Sequence, residues 1–279
     1  MSRGVLYMAV GEQFVREAVQ SAASVRKQMP TVDITLATDS EDYDLDPFDR
    51  VIELDQASQE TIEDRTWLID STIGPDLSPY EKTLYLDSDT YVCNDISELF
   101  DLLEQYDLAI ARTPAKPQLS DLPEPWHLYN CGVIAYRDTT ETRELLNDWQ
   151  QRYRAELAEQ DRPVDQPAFV RALWDSDVRW FTLPQEYNVR IPNRGAVANE
   201  VKIVHGRHPA GLEQAADELN RHSRLRTYRE HSYSGKPIFT VRNVATLRYR
   251  IERKIRQEGI VATLRRAPGF LVERLLGTD

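Results

Sequence analysis

The chain has 279 residues, of which 41% are hydrophobic and 29% charged, and its formal net charge is −12. This composition is typical of a globular domain, and the acidic charge argues against nucleic acid as a partner, because such binding depends on clustered cations. No apolar stretch is long enough to span a bilayer, and the N-terminus predicts a first strand rather than a signal peptide, so we expect a cytoplasmic protein.

The first half of the chain alternates strand and helix patterns. The predicted strands are Val5–Val10, Ile34–Thr38, Val51–Leu54, Thr83–Leu86 and Leu108–Ala111. The predicted helices between them are Phe14–Val25, Thr61–Ser71 and Ile96–Leu103. This βαβ alternation predicts an α/β, Rossmann-like fold with a mostly parallel central sheet flanked by helices. In such sheets ligands bind at the carboxyl ends of the strands.

Two carboxylates stand one residue apart where the predicted strand Thr83–Leu86 ends. Alternate residues of an extended chain point the same way, so Asp87 and Asp89 can direct oxygens to one point. Acids this close repel each other unless a cation lies between them, and oxygen ligands of this kind suit Mg²⁺ or Mn²⁺. The motif supports a metal-bound diphosphate as the first hypothesis. A solvated turn in an acidic protein is the alternative.

The second half of the chain predicts further strands and helices. Tyr129–Arg137 has a strand pattern and Thr140–Glu159 a helical one. Asp165 precedes an apolar helical segment and is a candidate N-cap, because its carboxylate can accept the free amides of the first turn. The last strand pattern, Val201–Gly206, contains His205, a candidate metal ligand.

Six short motifs follow one another over about three quarters of the chain. They are Ala9–Phe14, Tyr85–Asp89, Asn130–Val133, Asp165–Pro167, Tyr187–Asn188 and Ile203–Gly206. In this order they resemble nucleotide-sugar glycosyltransferases of the GT-A fold, particularly the glycogenin and lipopolysaccharide galactosyltransferase-like group. The resemblance implies metal-dependent transfer of a sugar from a nucleotide-diphosphate sugar to a glycan, lipid-linked or other acceptor, with retention of configuration.

The resemblance also implies roles for individual residues. Asp87, Asp89 and His205 match ligands of Mn²⁺ or Mg²⁺ in that family. Asn130, Asp165 and Gln166 match residues beside the donor sugar and acceptor, and are the candidate catalytic residues. The candidate contacts to the donor nucleotide and its phosphates are Val10, Gln13, Phe14, Arg65, Lys82, Asp87, Ser88 and Arg207.

Several of these assignments have alternatives. His231 lies in a segment that resembles the family's ending after the metal-binding histidine, so it rivals His205 as the third ligand. Asp165 has a second role as an N-cap, Phe14 as a core residue of the first helix, and Lys82 as a solvated strand start. The nucleotide base, donor sugar and acceptor stay open, because pocket contacts come from variable loops.

Two other functions fit part of the sequence. Leu84–Val92 satisfies the apolar Asp-x-Asp-x-Thr motif of haloacid-dehalogenase-like Mg²⁺-dependent phosphatases, in which the first aspartate attacks phosphorus. That motif normally follows the first strand, whereas here several predicted strands precede it. A non-catalytic nucleotide-sugar or glycan-binding protein is the second alternative.

The end of the chain differs in charge from the rest. Residues 240–279 carry a net charge of +5, whereas residues 1–239 carry −17. Apolar residues from Val244 to Leu276 recur at helical spacing. We therefore divide the chain into a catalytic domain, 1–239, and a basic amphipathic helical tail, 240–279. The tail either contacts an anionic membrane surface, at the inner face of the membrane, or docks onto the acidic domain.

Overall fold

The computed structural model describes most of residues 2–243 and a few positions beyond. The described residues are 2–39, 44–54, 61–62, 65–66, 76–113, 119, 121–159, 165–208, 210–221, 224–233, 236–243, 255–257, 259 and 262. The side chains of 61–62, 65–66, 157–159, 230–233, 236–240 and 242–243 are not among them. Within this part of the chain, no helix is both long and apolar enough to cross a membrane.

The described elements alternate between strands and helices. The strands are β1 (Arg3–Ala9), β2 (Asp33–Thr38), β3 (Arg50–Glu53), β4 (Thr61–Ile62), β5 (Arg65–Thr66), β6 (Lys82–Leu86), β7 (Thr90–Val92), β8 (Leu108–Arg112), β9 (Tyr129–Arg137), β10 (Trp180–Leu183), β11 (Val189–Arg190), β12 (Gly195–Val197), β13 (Ile203–His205), β14 (Arg226–Tyr233) and β15 (Lys236–Asn243). The helices are α1 (Glu12–Gln28), α2 (Glu98–Leu102), α3 (Thr140–Glu159), α4 (Asp165–Asp175) and α5 (Leu212–Asn220), with a single 3₁₀ turn at Gln185–Tyr187.

A seven-stranded sheet forms the centre, in the order β10-β8-β9-β6-β1-β2-β3. Only β9 runs antiparallel to its neighbours in this sheet. The carboxyl ends of the other six strands therefore lie at one edge. The predicted mostly parallel α/β sheet is confirmed.

Both faces of the central sheet are buried, which explains the nearly continuous apolar strands. On one face, Val5 and Tyr7 pack with α1 residues such as Val15 in one hydrophobic cluster. On the other face, Leu6 packs in a second cluster with residues of α3 and α4, including Trp149. All five residues of β6 are buried, so the strand that leads to Asp87 is fixed on both sides.

A small second sheet, β11-β13-β7, extends the structure beside the end of β6. β13 pairs antiparallel with β7 and places His205 opposite Thr90. β11 pairs parallel with β13 and places Arg190 opposite His205. This sheet thus brings the end of β13 next to the Asp87–Asp89 turn.

One prediction about an element is wrong. The helix expected over Thr61–Ser71 is an antiparallel ribbon of β4 and β5 where the chain is described there, and its β-branched Thr61, Ile62 and Thr66 suit extended backbone. β15 pairs with β14 as far as Asn243 and so crosses the predicted 239/240 boundary, and the division into a domain and a tail stays a prediction. Most of the tail lies outside the described residues.

Candidate active site

The Asp87–Asp89 turn is held by hydrogen bonds to the buried chain around it. The hydroxyl of Thr90 donates to the carbonyl of Asp87 at 2.8 Å, and it also contacts the hydroxyl of Ser21 at 2.7 Å. Ser21 in turn bonds the hydroxyl of Tyr7 at 2.9 Å. Because Ser21 and Tyr7 are buried, the turn has one fixed position at the edge of the sheet.

His205 lies against both carboxylates of this turn. Its Nε2 atom is 3.3 Å from Oδ2 of Asp87 and 3.2 Å from Oδ1 of Asp89. One ligand atom from each of the three residues lies within 4.8 Å of the others, which is close enough for one divalent cation. The sequence hypothesis that these residues converge is confirmed. The rival ligand His231 has its backbone in β14, and its side chain lies outside the described residues.

Gly132 makes room for this cluster. A Cβ atom at this position would lie 2.0 Å from Cε1 of His205 and 2.4 Å from Oδ2 of Asp87. Its carbonyl also accepts the backbone amide of Asp87 at 2.9 Å. The three side chains fit a small cation only because β9 has no side chain here. The donor set of two carboxylates and one imidazole suits Mn²⁺ better than Mg²⁺, which prefers oxygen alone.

The charges of the cluster are coupled. Burial alone would raise the pKa of Asp89, but the hydrogen bond and charge of His205, with Arg207 and Arg190, lower it to about 2. Burial opposes charge on His205, and the carboxylates of Asp87 and Asp89 overcome it, so the pKa of His205 is raised. Both effects arise from ionised carboxylates that attract positive charge.

Asp165 and Gln166 begin helix α4 beside the same centre. Burial and then the charge of Asp87 raise the pKa of Asp165 to about 7, against backbone hydrogen bonds from the first turn and the charge of Arg190. Those amides belong to Asp165 and Gln166, the first two residues of α4, and not to the N2 and N3 positions that a capping side chain contacts, so the N-cap role of Asp165 stays a prediction. The side chain of Asn130 donates to Oε1 of Gln166 at 3.0 Å. The three candidate catalytic residues therefore lie together.

The first loop faces the other side of the Asp87–Asp89 turn. Val10 is buried at the end of β1, whereas Gln13 and Phe14 are exposed in the first turn of α1. The guanidinium of Arg207 lies 5.6 Å from the ring centre of Phe14 and makes two hydrogen bonds, each 2.7 Å, to the carboxylate of Glu17. Arg207 also lies 3.9 Å from Oδ2 of Asp89.

No protein-family profile and no curated protein matches the sequence. Solved structures match the fold: the galactosyltransferase LgtC in complex with donor and acceptor sugar analogues has a TM-score of 0.55 and 15% identity, over 75% of this chain and 88% of LgtC. An active-site mutant of LgtC gives a TM-score of 0.51 and 16% identity over the same shares. The chain has the GT-A fold.

A third structure, the glycosyltransferase GlyE of Streptococcus pneumoniae TIGR4, matches with a TM-score of 0.48 and 20% identity, over 69% of this chain and 47% of GlyE. The GT-A fold confirms the resemblance seen in the motifs. It does not favour the phosphatase alternative, because Asp87 follows β6 and five described strands precede β6 along the chain, whereas the phosphatase motif normally follows the first strand.

Two residues predicted to contact phosphate, Lys82 and Arg65, are not among the described residues of the Asp87–Asp89–His205 cluster. Lys82 lies at the start of β6, at the opposite end of that strand from Asp87. Its ammonium donates to the carbonyl of Phe100 at 3.1 Å and to the carboxylate of Glu104, and the residue is buried. The expectation that Lys82 contacts phosphate is therefore wrong. Arg65 has its backbone in β5, and its side chain lies outside the described residues.

Ser88, also expected to contact the donor, lies beside Glu17. Its hydroxyl lies 3.4 Å from the carboxylate of Glu17. A cavity of ≈ 640 Å³ opens there, lined by residues that include Glu17, Ser88, Asp89 and Arg207. This volume is in the range of small-molecule sites.

The site contains residues that the motif assignments missed. The hydroxyl of Tyr85 donates to Oδ1 of Asp87 at 3.2 Å, and Nη1 of Arg190 lies 2.6 Å from Nε2 of His205. Asn188 lies 2.9 Å from Nδ1 of His205. The Tyr187–Asn188 motif marked the last of these, but Arg190 reaches the centre only through the short β11–β13 pairing.

Proposed function

We propose that the chain is a metal-dependent glycosyltransferase that moves a sugar from a nucleoside-diphosphate sugar to a hydroxyl of a glycan, lipid-linked or other acceptor. The observation that carries this proposal is the convergence of Asp87, Asp89 and His205 at the ligand-binding edge of a GT-A sheet. The cofactor is Mn²⁺ or Mg²⁺. LgtC, which shares the fold, was solved with donor and acceptor sugar analogues, and this supports sugars as both substrates.

The proposed reaction breaks the bond between the anomeric carbon and the diphosphate and forms a bond to the acceptor oxygen, whose proton is released. A divalent cation held by Asp87, Asp89 and His205 would offset the charge that develops on the diphosphate. Arg190 and Arg207 add two cationic side chains at the same edge. Guanidinium groups bind phosphate oxygens strongly, so we assign both to the diphosphate.

We assign the sugar end of the site to Asn130, Asp165 and Gln166. A carboxylate at Asp165 would stabilise positive charge at the anomeric carbon, and its pKa of about 7 allows a large ionised fraction near neutral pH. The amides of Asn130 and Gln166 would bind sugar hydroxyls. Retention of configuration is part of the proposal and rests on the motif resemblance.

We assign the nucleotide end to the first loop and the cavity beside it. The ring of Phe14 is 40% exposed, although it is a large apolar group, and this supports a stacking role for a base. Gln13 is exposed in the same turn, and Val10 and Ser88 border the loop and the cavity. These four residues do not determine which base the donor carries.

We also propose, from charge alone, that the tail after Asn243 contacts an anionic membrane surface. The +5 charge of residues 240–279 supports the idea. Full-length protein should pellet with vesicles containing phosphatidylserine, and replacement of Arg265 and Arg266 by glutamate should reduce pelleting. Equal pelleting of both proteins would favour docking of the tail onto the acidic domain.

The central experiment is a thermal-shift screen of nucleotide sugars with and without Mn²⁺. A ligand that binds only the folded state raises the melting temperature by mass action, so one donor should stabilise the protein only when Mn²⁺ is present. Asp89→Ala should abolish this shift, and Asp101→Ala, which removes an exposed acid on α2, should keep it. Failure of every donor, or an unchanged shift in Asp89→Ala, would contradict the proposal.

Turnover separates an enzyme from a binding protein. With the stabilising donor and Mn²⁺, we expect slow release of the nucleoside diphosphate even without acceptor. Binding without any release, under conditions that preserve the melting temperature, would favour the non-catalytic alternative.

A further inference from the structure

A chain of hydrogen-bonded side chains leads from His205 to Gln166. Nδ1 of His205 lies 2.9 Å from Oδ1 of Asn188, whose Nδ2 donates to Oδ1 of Asn130 at 2.7 Å. Nδ2 of Asn130 then donates to Gln166 at 3.0 Å. His205 is 0% exposed and Asn188 1% exposed, so solvent does not compete for these contacts.

The direction of this chain follows from one backbone group. The amide of Gly132 donates to the side chain of Asn130 at 3.4 Å, and a backbone N–H can only donate. The Asn130 atom that faces Gly132 is therefore its oxygen. Asn188 contacts the same oxygen, so it must present its NH₂ group there.

The other end of the Asn188 amide is then an oxygen, which can only accept. This oxygen faces Nδ1 of His205, so Nδ1 carries a proton. On the opposite side of the ring, Nε2 faces the carboxylates of Asp87 and Asp89 at 3.3 and 3.2 Å. The same nitrogen also lies 2.6 Å from Nη1 of Arg190, which can only donate, so in the neutral ring Nε2 carries no proton and is the nitrogen that could bind a cation.

We propose that Asn188 is a positioning residue that holds His205 in the Nδ1–H tautomer and so reserves Nε2 for the metal. A neutral imidazole has one proton to share between two nitrogens, and a ligand histidine must keep it on the nitrogen away from the metal. Partners that hold the ring in this way commonly change metal affinity by about 10- to 100-fold. The metal part of the inference rests on the proposed function, whereas the tautomer does not.

Two substitutions separate this role from simple packing. Asn188→Leu has a similar volume and no hydrogen-bonding group. Asn188→Asp still accepts the proton of Nδ1 but cannot donate to Asn130. The matched control is Asn220→Leu, since the amide of Asn220 bonds the backbone amide and carbonyl of Val201 at 2.8 and 3.0 Å and accepts from Arg226 at 3.3 Å.

The first measurement is a long-range ¹H–¹⁵N NMR spectrum of the metal-free protein, at a pH where the imidazole is neutral. The chain has five histidines, and His205→Gln identifies the signal. We expect the Nδ1–H pattern in the wild type, in Asn188→Asp and in Asn220→Leu, and a mixture of tautomers in Asn188→Leu. An Nε2–H pattern in the wild type would overturn the inference without any variant, and without reference to glycosyl transfer.

The second measurement is the dissociation constant for Mn²⁺, from the electron paramagnetic resonance of the free ion. Asn188→Leu should bind Mn²⁺ about 10- to 100-fold more weakly, and Asn220→Leu should bind it as the wild type does. Asn188→Asp should bind at least as tightly as the wild type. Wild-type affinity in Asn188→Leu, with an unchanged tautomer, would leave Asn188 a packing residue only.

Discussion

The backbone of Gly132 lies so close to His205 that a Cβ atom at this position would be 2.0 Å from Cε1 of the imidazole. The same atom would be 2.4 Å from Oδ2 of Asp87. No real Cβ tolerates such contacts, so any other residue at position 132 must displace two of the three proposed metal ligands. The glycine of the Asn130–Val133 motif is therefore part of the proposed metal site through its missing side chain.

Gly132→Ala should weaken Mn²⁺ binding by at least about tenfold, because small displacements of ligand groups are costly. It should also lower the free energy of unfolding by about 1–3 kcal/mol, as overpacking of a buried site does. Urea denaturation measures the second effect, and electron paramagnetic resonance of free Mn²⁺ measures the first.

A second glycine provides the control for this substitution. A Cβ atom on Gly195, in β12, would lie 2.4 Å from the hydroxyl of Tyr228, away from the cluster. Gly195→Ala should therefore cost stability and leave Mn²⁺ affinity unchanged. If both variants lost Mn²⁺ affinity equally, the effect would be one of general stability.

The sequence predicted the centre of the fold well, because its strands carry patterns that packing enforces. Tyr129–Arg137 and Thr140–Glu159 have the predicted bounds, and the two faces of β1 explain its continuous apolar run. The turn at Asp87 was predictable for the same reason, since a buried strand that ends in two acids leaves few alternatives. These features depend on neighbouring residues, so their patterns can be recognised in a single sequence.

The rest of the site depends on contacts between distant segments. Arg190 reaches His205 through a two-residue strand, which is too short to have a pattern. Lys82 is the first residue of β6, and its positive charge suggested a phosphate contact, but the length of the strand separates it from the edge where Asp87 lies. The paired strands β14 and β15 were missed, because the charge of residues 240–279 set a predicted boundary that lies within β15.

Substitution of Arg190 tests its assignment to the diphosphate. Its Nη1 atom lies 2.6 Å from Nε2 of His205, where its charge opposes a metal cation. Arg190→Gln should therefore bind Mn²⁺ more tightly, by about tenfold if the charge acts through a partly screened site. The same variant should bind the nucleoside diphosphate more weakly at saturating Mn²⁺.

The exposed Arg194 provides the control, since Arg194→Gln changes the net charge by the same amount. Isothermal titration of Mn²⁺, and then of nucleoside diphosphate, gives both affinities. Equal or weaker Mn²⁺ binding by Arg190→Gln would contradict the proximity of its charge to the metal.

Lys82 should contribute to the free energy of unfolding and not to the affinity for the donor. Its buried ammonium satisfies the carbonyl of Phe100 and pairs with Glu104. Lys82→Met keeps most of the side-chain volume and removes both contacts, so the free energy of unfolding should fall by about 1–3 kcal/mol. Donor affinity, measured at a temperature where the variant is folded, should be unchanged, and a loss of donor affinity would restore Lys82 to the site.

The pKa of Asp165 predicts how stability depends on pH. Burial and the charge of Asp87 raise this pKa from 3.8 to about 7, and the charge of Arg190 opposes the shift. The charge of Asp165 in turn helps to raise the pKa of Tyr85 and of Cys131. Between pH 4 and pH 7 the unfolded chain has released this proton and the folded chain has kept it. The group therefore makes the fold less stable as pH rises through this window, and its contribution levels off above about pH 7.

Asp165→Asn keeps the size and hydrogen-bonding capacity of the side chain and removes the titrating group, so the stability of this variant relative to the wild type should rise between pH 5 and pH 7.5. Urea denaturation in the presence of EDTA at these two pH values measures the difference. The contribution of His205, whose pKa is also raised, is present in both proteins and cancels in the comparison to first order. Asp177→Asn, which removes an exposed acid just beyond α4, should show no such rise. If Asp165→Asn differed from the wild type by the same amount at both pH values, the carboxyl group would be ionised throughout, and burial beside Asp87 would not control its charge.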